Sequence, residues 1–560
     1  MTSTINHDAQ AATVARWGAF LHARNVITQL RAWWVSLLAV GTVDSLLTVL
    51  ALGVGMGVVV DRASPGSLGV PFLSFVAPAM VLTVMVHGAQ VENTSSPMAG
   101  FRWHETYHAA AATPTKPAQL ATGHIFGTLV RCLINALTVS VVLLLFGGMR
   151  WSAVPVVLGV GVLVVLGFGN PVLAWTASLP QERGQFALFA RLIVLPLTLF
   201  SGTYFPLDVL PVWTHPIGWL SPLWHGVNLA RIATLDQPAP GWLPAVHIGY
   251  LSALALAGWL LAQRLYRLRL LGELRPRRRE RRTPAPIDLV PASELPDGQE
   301  MIRRSHGRLF PGGTFLTVAA RGLKAAWGTN WLLMASGVAE PILYLLAMGL
   351  GLGSLIGRGD AASYAAWIAP ALLASSAMNG AVLDATWNVF IKLKLDRLYD
   401  AMLSTSLSPL DVALGEILVA LVRGGIYAVA FVAVMAALGL VGSWWVLAAV
   451  PACLLIAFGF AALGMAATSF AHKFQHLDWI TVALLPMFLF SGTFYPIDVY
   501  PAWIATGVRC LPLWHGIEMM RDLTLGTVTW ITAGHALYFV GLAILGTWVA
   551  TFRIKALFLT

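Results

Sequence analysis

Residues 196–213 read PLTLFSGTYFPLDVLPVW and residues 486–503 read PMFLFSGTFYPIDVYPAW, with eleven of eighteen positions identical at a spacing of 290 residues. The register outlasts the stretch. Pro222-Leu223-Trp224-His225-Gly226 returns as Pro512-Leu513-Trp514-His515-Gly516, and Arg231 returns as Arg521. A register that survives unlike loops marks an internal duplication, and the chain is read as two copies of one unit of roughly 280 residues. The copies fall at residues 1–270 and 313–560, joined by a linker at 271–312.

Hydrophobic residues make up 57% of the chain and charged ones 11%, against about 45–50% and about 25% in soluble domains. Such a balance predicts an all-α polytopic membrane protein. Absence of period-2 alternation excludes a β-barrel. Apolar runs of about 20 residues predict spans near 35–60, 72–91, 119–146, 154–179, 186–203 and 243–263, then near 331–354, 364–386, 411–440, 444–469, 478–493 and 531–552. Trp33-Trp34 and Trp444-Trp445 sit at span ends, as interfacial anchors do. Six spans per copy, about 12 transmembrane helices in all, return the chain to its starting side and predict parallel repeats about an axis along the membrane normal.

Orientation follows from Arg16 to Arg31, Arg102, Lys116, Arg183, Arg264 to Arg282, Lys392 to Arg397, Lys473, Arg553 and Lys555, which all fall on one side of these spans. Both termini are expected on the cytoplasmic side of a bacterial plasma membrane. Residues 14–31 and Phe315 to Trp327 read as basic amphipathic interface helices preceding the first span of each copy. Met1 to Ala12 lacks the short apolar core of a cleaved signal, so the first span is expected to act as an uncleaved one.

The formal net charge is +10, and nine arginines lie between Arg264 and Arg282 against only Glu273 and Glu280. Directly after an apolar span, that cluster reads as the positive-inside signal and as attraction to anionic membrane lipids, not as a nucleic-acid site. The Pro- and Arg-rich linker reads as a flexible cytoplasmic tether. Cys132, Cys453 and Cys510 form no metal or disulfide pattern. None of the six lysines follows a glycine, so the phosphate-cradling GxxxxGK[ST] loop is missing and ATP hydrolysis cannot come from such a site here. No Ser/His/Asp order, HExxH helix or Cys-His cluster points to a catalytic residue, a bound metal or a cofactor in this chain. His87 and His225 read as structural histidines.

Polar groups inside spans carry more information. Asp44 and Glu340 occupy equivalent places upstream of the ladders Gly53, Gly55, Gly57 and Gly349, Gly351, Gly353. A carboxylate at such depth costs about 2.5–3.5 kcal/mol on insertion scales and must face protein or water. Glu92 and Asp384 repeat at an offset of 292 residues, as do Arg131 and Arg423, with His124 and Glu416 seven residues before those arginines. Two interhelical ion pairs, Glu92–Arg131 and Asp384–Arg423, are expected. The alternative is that the arginines snorkel to headgroups.

The repeated segment with Ser201, Gly202, Tyr204, Phe205, Pro206 and Asp208, and with Ser491, Gly492, Phe494, Tyr495, Pro496 and Asp498, cannot cross the bilayer again. It predicts short helices dipping into the outer leaflet as an extracytoplasmic gate, or loops resting on the interface. Between spans two and three, Phe390 to Met402 (FIKLKLDRLYDAM) and its counterpart Phe101 to Ala112 are short amphipathic segments suited to docking on a partner.

FSGTYFPLDVLP with the following PLWHG, LDRLYDAMLSTSLSPLDVALGE, and the Phe75-Val76-Ala77-Pro78 and Trp367-Ile368-Ala369-Pro370 steps resemble the type-2 ABC transporter permeases. Within that group the likeness is to nodulation lipo-oligosaccharide and daunorubicin-type exporters. It covers both copies and spares the linker. The resemblance implies two fused six-span permease domains, each with an interface helix, a coupling helix and re-entrant helices. It also implies two copies of a separate cytoplasmic ATPase subunit that bind ATP and Mg.

By position, Phe101, Arg102, His104, Glu105 and Tyr107, with Lys392, Lys394, Asp396, Arg397 and Tyr399, would be the coupling residues. Gly415-Glu416 matches the family's Gly-Glu, whereas the first copy has Gly123-His124 and lacks the Leu-Asp-Arg-Leu core, so the two ATPase contacts are expected to be unequal. The expected cargo is amphipathic: a lipid, a glycolipid or a hydrophobic natural product. The rivals are a proton-coupled secondary transporter using Asp44 and Glu340, and a lipid-modifying membrane enzyme, which would need a polar catalytic cluster.

Overall fold

The computed structural model describes residues 7–182, 184–273, 315–356, 361–472 and 476–558. Most of the linker, with Arg183 and Lys473, lies outside the described residues. The chain divides into two compact units, Met1–Arg281 and Arg282–Thr560. Among the described residues every regular element is helical.

The first unit comprises α1 (His7–Thr48), α2 (Phe72–Met98), α3 (Pro117–Leu145), α4 (Ala153–Ser178), α5 (Gln185–Leu199), α6 (Pro222–Thr234) and α7 (Leu243–Leu270). The second repeats the series as α8 (Phe315–Leu346), α9 (Ala361–Leu383), α10 (Pro409–Ala437), α11 (Ala449–Ser469), α12 (His476–Phe490), α13 (Pro512–Leu525) and α14 (Trp530–Phe558). The packing repeats as well. α4 lies against α7, α1 against α3 and α2 against α4, as α11 lies against α14, α8 against α10 and α9 against α11.

Three features differ from the sequence expectation. First, α1 has 42 residues and joins the expected interface helix to the first span without a break, and α8 does the same over 32 residues. Trp17 and Phe20 on α1 are exposed while Ala23 is buried, which keeps the segment amphipathic although it belongs to a longer helix. Secondly, ten helices among the described residues are long and apolar enough to span, five in each unit. The expected fifth spans are helices α5 and α12 of only 15 residues, about 22 Å long against a hydrocarbon core of about 30 Å. Each runs into the FSGT turn. Thirdly, the first two glycines of each ladder lie in π-helical segments, Val49–Gly55 and Ala347–Leu352, and the third, Gly57 or Gly353, in the α-helical turn that follows.

Without a hydrophobic drive between helices in lipid, association depends on close backbone approach at small residues. A Cβ on Gly123 of α3 would lie 2.4 Å from the Ala19 carbonyl oxygen of α1, and one on Gly415 of α10 would lie 2.9 Å from that of Phe315. A Cβ on Gly258 would lie 2.5 Å from the Pro171 nitrogen and one on its counterpart Gly546 would lie 2.8 Å from that of Leu463, so α7 and α14 cross α4 and α11 at glycine in both units. Gly123→Val is expected to destabilise by about 1–3 kcal/mol or more, because the obstructing atom is backbone. Gly159→Ala, where nothing lies within 4 Å, is the neutral control, and thermal unfolding in detergent is the measurement.

Candidate functional site

Each unit carries polar machinery at the two ends of its second helix. At the FSGT end, Gly202 (φ 70°) and Gly492 (φ 78°) adopt the left-handed conformation, which glycine reaches without a Cβ clash. The turn folds back so that Ser201, Phe205, Ser491, Phe494 and Tyr495 are buried, while Asp208, Pro496 and Asp498 stay exposed and Tyr204 and Pro206 are half-buried. Ser201 Oγ meets Ser221 Oγ at 2.6 Å, and short 3-10 turns over Leu207–Val209 and Ile497–Val499 follow.

An arginine from the next helix holds this turn. Arg231 Nε donates to the Phe75 carbonyl at 3.1 Å and Nη2 to the Thr203 carbonyl at 3.2 Å, and its guanidinium carbon lies 3.6 Å from the Phe75 ring centre. Burial pushes its pKa down to about 9, which leaves it a cation at neutral pH. In the second unit Arg521 donates to the Gly492 carbonyl, pairs with Glu518 at 3.0 Å and lies 4.0 Å from the Trp367 ring centre. Tyr364 adds a hydrogen bond to the Phe494 carbonyl at 2.9 Å. Three separately repeated motifs, FSGT, the Arg after PLWHG, and the aromatic before Ala-Pro in span two, thus converge on one clamp.

Beside the clamp, His225 Nδ1 lies 2.8 Å from His247 Nδ1, and His515 Nδ1 lies 2.8 Å from His535 Nδ1. His225 Nε2 donates to the Trp219 carbonyl at 2.9 Å, so in neutral His225 the Nδ1 is the acceptor and the proton between the two rings belongs to His247. Burial lowers the pKa of His225 and of His515, which favours that neutral state. Tyr250 and Tyr538 stack on the pairs at 4.0 and 4.2 Å. These pairs link α6 to α7 and α13 to α14. The partners His247 and His535 were missed by sequence reasoning. The available signal was a second histidine about 20 residues after each PLWHG, with tyrosine three positions later in both copies.

At the other end of the bundle, Arg131 pairs with Glu92 and Arg423 pairs with Asp384 at 2.6 Å. Ser96 and Asn388, each four residues after its acid, donate to the same carboxylates at 3.2 and 3.0 Å. Phe101 to Ala112 and Phe390 to Met402 are not single helices. The second helix continues through π turns at Ala99–Trp103 and Ile391–Leu395, breaks at Glu105 (φ 52°) and Arg397 (φ 47°), and restarts as Thr106–Ala111 and Leu398–Leu403. Arg102, His104, Glu105, Lys394, Asp396 and Arg397 are exposed, while Phe101, Tyr107 and Tyr399 are buried.

Lys392 is half-buried and pairs with Glu416 at 2.5 Å, so Glu416 belongs to the coupling segment and not to the Arg423 pair. His124 instead faces the Tyr107 hydroxyl at 3.4 Å. Asp44 and Glu340 are half-buried on the first helix of each unit, just before the π segments. Among the described residues no cluster of three or more His, Cys, Asp or Glu is placed to hold a metal ion.

The family profile described as ABC-2 type transporter matches this chain twice, over residues 20–235 and 314–525. The chain belongs to the ABC-2 type transporter family. Nodulation protein J of Rhizobium leguminosarum bv. trifolii is 34% identical over 220 residues, a match that takes up 84% of that protein but 39% of this chain. Nodulation protein J of Rhizobium leguminosarum bv. viciae is 31% identical over 221 residues, covering 85% of it and 38% of this chain. That of Rhizobium meliloti is 29% identical over 212 residues, covering 81% and 36%. These relatives have the size of one unit, and the present ABC-2 permease is two such units fused. Both matches contain the clamp arginine, the FSGT turn and the broken coupling segment. Permeases of this family are the membrane component of a transporter and not its ATPase.

Proposed function

We propose that this chain is the permease of an ATP-driven exporter, moving an amphipathic lipid, glycolipid or hydrophobic natural product outward across the plasma membrane. The observation that carries the reading is the double family match in a chain without a phosphate-cradling lysine loop. The engine is then a separate ABC ATPase, two copies of which bind ATP and Mg beneath the segments at 101–112 and 390–402. Closure of that dimer pushes these segments and shifts the equilibrium of each bundle, while the arginine-clamped FSGT turns guard the outer exit. The basic end of each unit faces the cytoplasm in this reading.

The tagged chain, extracted in mild detergent, is expected to retain an ABC ATPase detectable by mass spectrometry, with lipid-like molecules enriched over the bulk membrane. Recovery of no ATPase overturns the reading. Transport into inverted vesicles should persist when a protonophore collapses the proton gradient at constant ATP. Loss of transport under that condition would favour a proton-coupled carrier using Asp44 and Glu340.

A further inference from the structure

The two coupling segments occupy equivalent places in their units and both meet the third helix, the first through Tyr107 and His124 at 3.4 Å and an apolar cluster with Leu120, Ala121 and Ile125, yet their anchors differ. In the second unit Lys392, on the last turn before the break, reaches Glu416 on α10, and the following helix Leu398–Leu403 packs on α10. Tyr399 is fully buried there, and its hydroxyl pKa is raised well above its usual value, first by burial and then by the negative Glu416. At the 292-residue offset, position 392 corresponds to Gly100 and position 416 to His124. Both members of the ion pair are therefore replaced together. That is the change expected of two groups in contact, since losing one alone strands a charge.

In the first unit glycine at position 100 lets the Tyr107 ring, the counterpart of Tyr399, approach the helix closely. A Cβ on Gly100 would lie 2.7 Å from the Tyr107 ring. Tyr107 packs edge-on to Phe101 at 4.8 Å, and Phe101 packs on Tyr266 of α7 at 4.7 Å. Arg269 of α7 closes the assembly, 4.1 Å from the Phe101 ring centre, while donating to the Thr176 and Ala177 carbonyls of α4 at 3.2 and 3.1 Å. The helix Thr106–Ala111 packs on α7. Neither residue recurs in the second unit, where the offset that relates Gly258 to Gly546 puts Ile554 at the place of Tyr266 and Leu557 at that of Arg269, and where Arg553 of α14 lies 4.2 Å from the Phe470 ring centre at the end of α11 and not on the coupling segment.

We propose that the two units take up the same push unequally: the second delivers it through the charged Lys392–Glu416 strut to the third helix, α10, whereas the first, which meets its third helix without an ion pair, delivers the larger share through the Phe101–Tyr107–Tyr266 stack to the last helix, α7. Lys392, Glu416 and Tyr266 are positioning residues in this scheme. The proposal rests on the reading of 101–112 and 390–402 as ATPase contacts.

Hydrogen exchange on the full permease–ATPase complex in lipid nanodiscs, nucleotide-free against trapped with ATP and vanadate, tests it. Trapping should change exchange in α10 more than in α3, and in α7 more than in α14. Lys392→Gln should abolish the α10 response, a loss of roughly tenfold in the opening equilibrium, the scale of one charge-assisted hydrogen bond. Lys392→Arg and the reversal Lys392→Glu with Glu416→Lys should restore it. Tyr266→Leu should abolish the α7 response and leave α10 unchanged. Equal responses of α3 and α10, or an α10 response that survives Lys392→Gln, overturn the proposal while leaving the exporter reading intact. A complex that retains its ATPase yet shows no trapping-dependent change in any of these helices overturns it as well. Failure to recover any ATPase removes the exporter reading and this proposal together.

Discussion

Arg131→Ala is expected to lower the unfolding free energy by about 3–5 kcal/mol, because it strands the Glu92 carboxylate in a site that water does not reach. Glu92 is 5% exposed, and its remaining side-chain partner, the Ser96 hydroxyl, brings no charge. The reversal Glu92→Arg with Arg131→Glu should recover most of the loss that either single reversal causes. Asp384 and Arg423 should behave alike with a smaller amplitude, since both members of that pair are more open than Glu92. Fluorescence-detected thermal unfolding in detergent reads all of these. If the two single reversals at Glu92 and Arg131 add independently, the arginine is serving headgroups and not its neighbour.

These pairs also show which parts of the site the sequence discloses. Glu92, Arg131, Asp384 and Arg423 are visible because charge is costly in a span and because each recurs at one offset, which leaves few partners to choose from. The FSGT turn is visible for a similar reason, as glycine and proline punctuate an otherwise apolar run. The clamp is less visible. Arg231 and Arg521 stand out as repeats, but nothing in the linear order indicates that their acceptors are backbone carbonyls 28 to 156 residues away. The π turns at the glycine ladders are hidden because an apolar stretch in lipid has no polar face against which a change of period would register.

The joined α1 and the short α5 escape for another reason. Hydropathy reports where a chain tolerates lipid, and an amphipathic start followed by an apolar run is compatible with a bend or with a straight continuation. Apolar residues beyond Leu199 belong to a buried turn and not to a helix, so a hydropathy window counts them toward a crossing. The Lys392–Glu416 strut was legible only by comparing the copies. Where one member becomes glycine, the other becomes histidine.

The second large effect is expected at the outer clamp. Arg231→Ala removes two charge-assisted hydrogen bonds, each about 1.5–3 kcal/mol, and strands the Phe75 and Thr203 carbonyls. It also removes a desolvated cation–π contact of about 2 kcal/mol. Because such terms overlap, a net loss of about 3–5 kcal/mol is expected, and Arg231→Lys should rescue little, since an ammonium cannot span two acceptors and a ring face at once. The local readout is labelling of Thr203→Cys by a maleimide. Thr203 is fully buried, so labelling should be slow in the otherwise native protein and at least about tenfold faster beside Arg231→Ala, as local opening gains more than 1.4 kcal/mol. Equal labelling rates would show that the turn holds itself without the arginine. In the second unit Arg521 has Glu518 beside it, so its removal additionally leaves an acid unpartnered.

Joining two units in one polypeptide has a consequence for what selection can do with them. A permease assembled from identical subunits writes every substitution twice, so a residue that favours one partner surface is imposed on the other as well. Here glycine at 100 and lysine at 392 coexist, and the two sides are free to specialise. Trading the whole of 99–125 for 391–417 would place the lysine–glutamate pair in both units and erase the difference there, while the bundle scaffold, with Tyr266 and Arg269 in the first unit alone, is kept.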